Sequence, residues 1–386
     1  MSTAVRWAFV LLVAAHGIAH LPGFAVSWRL MSSPEVPYHT TLLHGRWDVG
    51  ATGIRIVGLL WLLAGGALLA GAALLMARWP WALVLVGAAA AGSLFLSIVE
   101  WPFARIGVGV NIVVLLVLPI AAAAFWRADS ARLIDALSAA PPTAGAGNPA
   151  SVPPVVARYL QRAAPEGRTA SHVRLEQHAE FMLGGTWRPL TAEQFMQASP
   201  PAFVWDARIA MAPGVAAHVR DSYGQGHGGM HASAMGIVPM VAQQGRPELD
   251  AGALHRYLAE LVWLPSALRP GSAVRWEPIG EREARVTLVD GANTVSLEFR
   301  FNGDGDVEEI FTPARYSEKD GHYSLQPWQV RCTEHTVLSG FRVPGYCEVA
   351  WLNADGPAPY WRGRISAARY TLADPPTPPA SPAAPR

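Results

Sequence analysis

Several residues in this chain carry side chains that could do chemistry, and their spacing limits what that chemistry is. His16 and His20 lie four apart in an apolar run, so on a helix they share one face, which in principle suits a metal or a haem. No cysteine or carboxylate accompanies them as a third ligand, so they are only weak metal candidates, and imidazoles bonded between helices explain them as well. Glu100 and Asn111 fall at the same depth or at its edge, and His39 and His44 lie in the following loop. His227 and His231 flank "GHGGMH", a second spacing open to a metal, although a flexible glycine-rich bend with solvated imidazoles is the plainer reading. Asp206, Asp221, Glu193 and Glu260 are acids set beside large aromatics. Paired carboxylates serve acid–base catalysis, but Arg256 and Glu260 also have the i,i+4 spacing of a helix ion pair. The chain has no GxSxG elbow, phosphate loop, dinucleotide fingerprint or His–Glu metal helix. The residues therefore argue against an enzyme and call for no cofactor.

The elements that must position these residues fall into two halves. Of 386 residues only 15% are charged and 51% are hydrophobic, and the apolar excess sits in the first third. Four runs there, Trp7–Val26, Ile56–Met76, Trp81–Val99 and Ile106–Phe125, each have the length a helix needs to cross roughly 30 Å of hydrocarbon. Trp7, Trp28, Trp79, Trp81, Trp101 and Trp126 mark their ends as an interfacial belt. Gly65–Gly66 and the stretch Ala88–Gly92 allow close helix packing. The first run is long and lacks a small-residue cleavage site, so it reads as a retained span and not a signal peptide. Four spans put both termini on one side. Arg6, Arg78, Arg127 and Arg132 balance Arg29, Arg46, Arg55 and Arg105 across the two sides. The short loop carrying Arg78 tips the bias toward a multi-pass protein of the bacterial inner membrane with its soluble part in the cytoplasm.

Residues 1–137 thus read as a four-helix transmembrane domain and 138–153 as a flexible linker rich in Pro, Ala and Gly. Residues 154–372 read as a β-rich soluble domain and 373–386 as a disordered tail. A net charge of +1 and the lack of a basic stripe argue against nucleic acid. The soluble part opens with a short helix, "PVVARYLQRAA", and continues as strand-like segments separated by turn pairs such as Gly184–Gly185, Asp290–Gly291 and Ser339–Gly340. One helix, "LDAGALHRYLAELVW", interrupts them, with Asp250 as a plausible N-cap and Leu254, Tyr257, Leu258, Leu261 and Val262 as its apolar stripe. The expected class is a membrane α-helical region plus an α+β domain, a curved antiparallel sheet or half-open barrel with a packed helix.

The stretches "WRPLTAEQ", "VRDSYGQGHGGM", "RYLAELVWLPSAL", "VSLEFRFNGDGDV" and "YWRGRI" together resemble an uncharacterised bacterial family, a domain of unknown function found alone or behind four membrane helices. "HGIAHLPGF" and "VGLLWLL" are similar to the membrane part of such relatives. The resemblance implies no activity. A looser similarity in fold links the soluble part to outer-membrane lipoprotein carriers, half-open barrels with a helical lid over an apolar interior.

The two cysteines bear on the compartment. With the turn of "VLSGFR" at Ser339–Gly340, His335 faces Pro344 and Cys332 faces Cys347, close enough for a disulfide. Two reduced thiols packed side by side fit the arrangement equally, and the arginine bias favours them.

Of fifteen tryptophans, nine remain outside the belt. A sheet curled round an apolar chamber would use such residues, and Trp205, Tyr223, Met235, Tyr257, Trp263 and Trp276 are the candidate ligand-binding set. The helix over Asp250–Trp263 and the Met-rich "AMGIVPMV" would gate that chamber. The leading expectation is a membrane-anchored protein that binds a lipid, an acyl chain or another hydrophobic small molecule, with the bilayer as its other partner. A structural or partner-binding module is the alternative, and a hydrolase or a haem or metal protein is the third. Oligomeric state is left open.

Overall fold

A computed structural model describes residues 2–34, 36–101, 103–139, 152–164 and 168–373. Most of the expected linker, residues 140–151, and the expected tail, residues 374–386, lie outside the described residues. The chain divides into two compact units, Met1–Arg132 with Ala232–Val241, and Leu133–His231 with Ala242–Arg386.

In the first unit, α1 (Ser2–Ile18) and α2 (Leu21–Ser27) together form the first apolar run. They are followed by α3 (Gly50–Met76), α4 (Ala82–Val99) and α5 (Arg105–Ser138). Four helical segments, Ala4–Ser27, Gly50–Met76, Ala82–Val99 and Arg105–Ser138, are long and apolar enough to cross a membrane. The first segment is interrupted at Ala19–His20, just before Pro22, whose ring and missing N–H suit the start of a new helix. Strands β1 (Thr41–Leu42) and β2 (Trp47–Asp48) pair within the loop between α2 and α3. Phe9, Val13, Leu68, Val86, Val114 and Leu118 centre the packing. Gly65 sits where α1 meets α3, and a Cβ there would come within 2.8 Å of the Gly17 carbonyl oxygen. Its neighbour Gly66 faces open space, so only one glycine of that pair serves close approach.

The second unit holds a single antiparallel sheet, all but the tip of its β7–β8 hairpin, with α6 (Pro154–Ala163) and α7 (Pro247–Glu260). Its strands are β3 (Ala170–Leu183), β4 (Thr186–Gln197), β5 (Ala202–Ala212), β6 (Val215–Gly224), β7 (His227–Ala234), β8 (Val238–Gln244), β9 (Val274–Pro278), β10 (Glu283–Asp290), β11 (Asn293–Phe301), β12 (Val307–Lys319), β13 (His322–Leu338), β14 (Phe341–Asn353) and β15 (Gly356–Leu372). The order is β8-β7-β6-β5-β4-β3-β15-β14-β13-β12-β11-β10-β9. Two meanders, β3–β8 and β9–β15, are thus joined by the pairing of β3 with β15, and the sheet curls into a half-barrel. Its two edge strands, β8 and β9, are consecutive in the chain and flank α7. One face of the sheet buries α6, α7 and the 3-10 turns Leu261–Trp263 and Pro265–Leu268 in a continuous core.

Three local expectations change. "HGGMHASA" is strand β7 and not a flexible bend. Its glycine at 228 admits α7, because a Cβ there would lie 2.7 Å from the Leu249 carbonyl oxygen. Asp250 is not the N-cap of α7, which begins at Pro247. It lies inside the first turn and accepts a hydrogen bond from Gly228 N at 2.7 Å, fastening β7 to the helix. The hairpin of β13 and β14 has the expected register, Leu338 opposite Phe341 and Cys332 opposite Cys347, and the two sulfurs are bonded, with Cα atoms 4.2 Å apart. Reduced thiols, the favoured reading of the sequence, are therefore not what the structure contains.

Burial in this unit sets its response to acid. His255 of α7 is buried, with Nδ1 3.0 Å from the Ala251 carbonyl oxygen. Burial, with Arg315 nearby, lowers its pKa to about 4. The unfolded chain takes up this proton first, so the histidine's contribution is intact above about pH 6.5 and is lost as pH falls toward 4. Denaturant unfolding of the full chain followed by tryptophan fluorescence is expected to show about 2 kcal/mol less stability at pH 5 than at pH 7 from this group. His255→Asn should flatten that slope, and an unchanged slope would contradict the assignment.

Candidate functional site

Alternation along β3 gives the sheet two chemically different faces. Val173, Leu175, Gln177 and Ala179 are buried, while Arg174 and His178 are exposed and Glu176 and Glu180 half-buried. The buried set lies in the core with α7. That inner face also holds a polar seam. Trp205 Nε1 donates to Gln177 Oε1 at 2.8 Å, Gln177 Nε2 to Gln194 Oε1 at 2.7 Å, and Gln194 Nε2 to Glu260 Oε2 at 2.6 Å. Arg256 completes it, donating from Nε to Glu260 Oε1 at 2.8 Å and from Nη1 to Asp221 Oδ2 at 2.6 Å. Its guanidinium lies 4.7 Å from the Trp205 ring and 5.2 Å from the Phe203 ring. Burial pulls Arg256 down, and the carboxylates of Glu260 and Asp221 more than offset it, so it stays charged. Burial pushes the Glu260 carboxyl up against the pull of Arg256. The seam couples α7 to four strands through hydrogen bonds that water cannot easily replace.

Five residues of the candidate ligand set are brought together on this face. Trp205, Tyr223, Tyr257, Trp263 and Trp276 are all buried in the core. Their polar atoms have internal partners. Tyr223 OH donates to Asp290 Oδ2 at 2.7 Å, Tyr257 OH to the Gln197 carbonyl at 2.7 Å, Trp263 Nε1 to the Pro344 carbonyl at 3.1 Å and Trp276 Nε1 to the Leu268 carbonyl at 2.8 Å. Met235 is separate. It lies in the β7–β8 turn with a positive φ of 55°, in the segment grouped with the helical unit.

The four acids do not converge. Glu193 and Asp206 are cross-strand partners on the outer face, where Arg220 stands opposite Asp206, whereas Asp221 and Glu260 share Arg256 on the inner one. In the helical unit His16 Nε2 lies 2.9 Å from Asn111 Oδ1, and His20 Nε2 lies 2.6 Å from Ser93 Oγ, which accepts from Asn111 Nδ2 at 2.8 Å. The histidines are thus spent on packing between helices. Among the described residues no group of three His, Cys, Asp or Glu could hold a metal ion. His227 pairs with Asp250, 3.3 Å away.

The opposite face of the sheet carries an open concavity of roughly 730 Å³ that the sequence did not reveal. Register places Arg208, Thr191, His178, Arg364 and Tyr346 side by side across β5, β4, β3, β15 and β14. Beside this row lie Pro189, Ala210, Ala212, Val215 and Ala216, a small-residue apolar lane. Arg364 Nη2 donates to Glu334 Oε1 at 2.8 Å and Arg362 Nε to Glu180 Oε2 at 2.7 Å, whereas Arg208 has no ion-pair partner among the described residues. Each of these residues sits at an outward position of an alternating strand. The row itself exists only once five strands are in register, and that is why the sequence concealed it.

The inner seam makes a direct prediction. Arg256, Asp221 and Glu260 side chains are 18%, 22% and 15% exposed, so removing the cation strands two mostly buried carboxylates. Arg256→Met is expected to cost about 3 kcal/mol in denaturant unfolding. Replacing all three by apolar residues of similar size should recover most of that loss, and a single-variant cost below about 1 kcal/mol would show that the seam does not hold α7 down.

Comparison with known proteins finds no match among curated proteins. Among solved structures the chain is similar to a DUF1329 family protein from Desulfovibrio piger, at 13% identity and a TM-score of 0.34, over 56% of this chain and 90% of that one. It is also similar to a LolA superfamily protein from Nitrosomonas europaea, at 12% identity and a TM-score of 0.29, over 57% of this chain and 93% of that one. A family of unknown function, DUF6920, matches residues 150–370, the whole sheet from β3 to the end of β15 but for its last residues together with α6 and α7. That is more than half of the chain, and the chain therefore belongs to the DUF6920 family.

Proposed function

We propose that this protein is anchored by four transmembrane helices in a bacterial inner membrane and that its sheet unit binds a lipid-like ligand, an acyl chain with an anionic end. The observation that carries the reading is the open concavity on the outer face. An apolar lane there runs beside Arg208, His178 and Arg364, which suits an alkyl tail ending in a carboxylate or phosphate. A chamber lined by Trp205, Tyr223, Tyr257, Trp263 and Trp276 would instead require α7 to lift from the sheet, breaking the Arg256 ion pairs and exposing the core. The outer concavity requires no such movement. The anchoring half of the proposal rests on the length and apolar composition of the four helices.

The test uses the full chain in nanodiscs with a photoreactive fatty acid or phospholipid, followed by peptide mapping of the cross-links. Labelling is expected on β5–β6 and β14–β15, and Arg208→Ala should reduce it several-fold. Labelling confined to α1–α5 would refute ligand binding by the sheet. Cross-links to α7 or to Trp263 would favour the inner chamber.

The side of the membrane has its own test. The Cys332–Cys347 bond supports an oxidising compartment for the sheet unit, against the weak arginine bias. Denaturing cells in acid and adding an alkylating reagent is expected to leave both cysteines unmodified until a reductant is supplied. Full modification without reductant would restore the cytoplasmic placement.

A further inference from the structure

A second cavity, of about 280 Å³, lies in the helical unit, lined by His39, Thr41, His44, Gly45, Glu100, Trp101 and Phe103. Glu100 caps the end of α4 and is 93% buried, being 7% exposed. Its Oε2 lies 3.2 Å from His39 Nε2, whose other nitrogen, Nδ1, lies 2.9 Å from the Pro37 carbonyl oxygen. Both imidazole nitrogens therefore face acceptors, and the hydrogen bond to Glu100 holds His39 above its ordinary pKa. The arrangement is a histidine–carboxyl pair. Glu100 Oε1, in contrast, is buried and has no hydrogen-bond partner among the described residues. A buried carboxylate oxygen without a donor is costly, by several times the net gain of an ordinary hydrogen bond, unless something else supplies the donor.

The chemistry of the cavity limits what that donor is. A metal would find one carboxylate and two imidazoles, that of His39 already spent, in line with the absence of any three-residue metal group among the described residues. An N–H-bearing cation fits better, because Trp101 and Phe103 line the cavity beside the carboxylate, and the Phe103 ring already packs on the His39 imidazole with centroids 4.6 Å apart. His44, on the same lining, offers a donor to an anion on the same ligand. The cavity lies at the ends of α4 and α5, where their apolar stretches stop.

We infer that this cavity binds a zwitterionic aminoalkyl phosphate, its ammonium donating to Glu100 Oε1 and its phosphate facing His44. Such a group occurs both as a phospholipid headgroup and as a free small molecule. The site is separate from the sheet concavity and stands whether or not the sheet binds a ligand.

The test again uses the full chain. Nanodiscs containing equal phosphatidylethanolamine and phosphatidylcholine separate a headgroup with N–H donors from a trimethylated one without them. Lipid retained after detergent exchange is measured by mass spectrometry. In wild type the ethanolamine lipid is expected to be enriched several-fold, and Glu100→Gln should weaken that retention about tenfold, the value of a lost charge-assisted hydrogen bond. Binding of soluble phosphoethanolamine by calorimetry, weakened about tenfold in Glu100→Gln and without lipid enrichment, would support the same site with a soluble ligand. Equal retention of the two lipids together with no phosphoethanolamine binding overturns the proposal. So does an unchanged preference in a Glu100→Gln protein that elutes and melts like wild type. Should that variant fail to fold, the comparison of the two headgroups on wild type still decides.

Discussion

The pairing of β15 with β3 is the contact on which the second unit depends. It joins residues near 370 to residues near 173, so that a strand formed last in the chain closes onto the first strand of the sheet. Without it the two meanders are separate sheets with exposed inner edges, each offering unpaired N–H and C=O groups to other chains. With it, both vulnerable strands become central ones, and the remaining edges, β8 and β9, are adjacent in sequence and lie either side of α7. The outer row Arg208–Thr191–His178–Arg364–Tyr346 straddles this seam, so the concavity and its charge are products of a single long-range register. Closing so long a loop is slow in comparison with forming any of the hairpins.

That contrast explains what could be read from the sequence and what could not. Hairpins were legible because their registers are set locally. Two residues at Ser339–Gly340, with Gly340 at a φ of 87°, dictate that Cys332 faces Cys347, and they do. The apolar stripe of α7 and the four apolar runs were legible for the same reason, since period and length are local properties. The β3–β15 pairing leaves no local trace, and nothing that depends on it could be read. The glycines of β7 show the complementary failure. Composition made "GHGGMH" look like a bend, when the glycine at 228 answers a close approach by the backbone of Leu249, far along the chain.

The aromatic residues raise a subtler point. Counting them correctly located a large apolar interior but could not say whether that interior was filled. A lined chamber and a packed core draw on the same residue types, and the difference lies in what each side chain touches. Here Trp205, Trp263 and Trp276 each direct the indole N–H to a partner within the unit, and Tyr223 and Tyr257 do the same with their hydroxyls. A ring so fixed at its polar end has one orientation, which favours solid packing over a surface that adapts to a ligand.

Both units close most of their buried polar clusters internally, and this bears on where function can reside. In the sheet, the seam of Gln177, Gln194, Glu260, Arg256 and Asp221 is closed, each charge meeting its counter-charge. Such a seam specifies how α7 docks but leaves nothing for a ligand to satisfy. In the helical unit the cluster of His16, His20, Ser93 and Asn111 is likewise closed. At its margin Ser93, Ser97 and Glu100 follow one face of α4, and only the last of them ends with a buried oxygen that has no donor among the described residues. A carboxylate oxygen is costlier to leave buried without a donor than a neutral group is, so this one calls for a partner. Among the described residues, the donorless buried oxygen of Glu100 and the guanidinium of Arg208, which has no ion-pair partner, say more about ligands than the aromatic core, whose indole N–H and tyrosine hydroxyl groups are already paired.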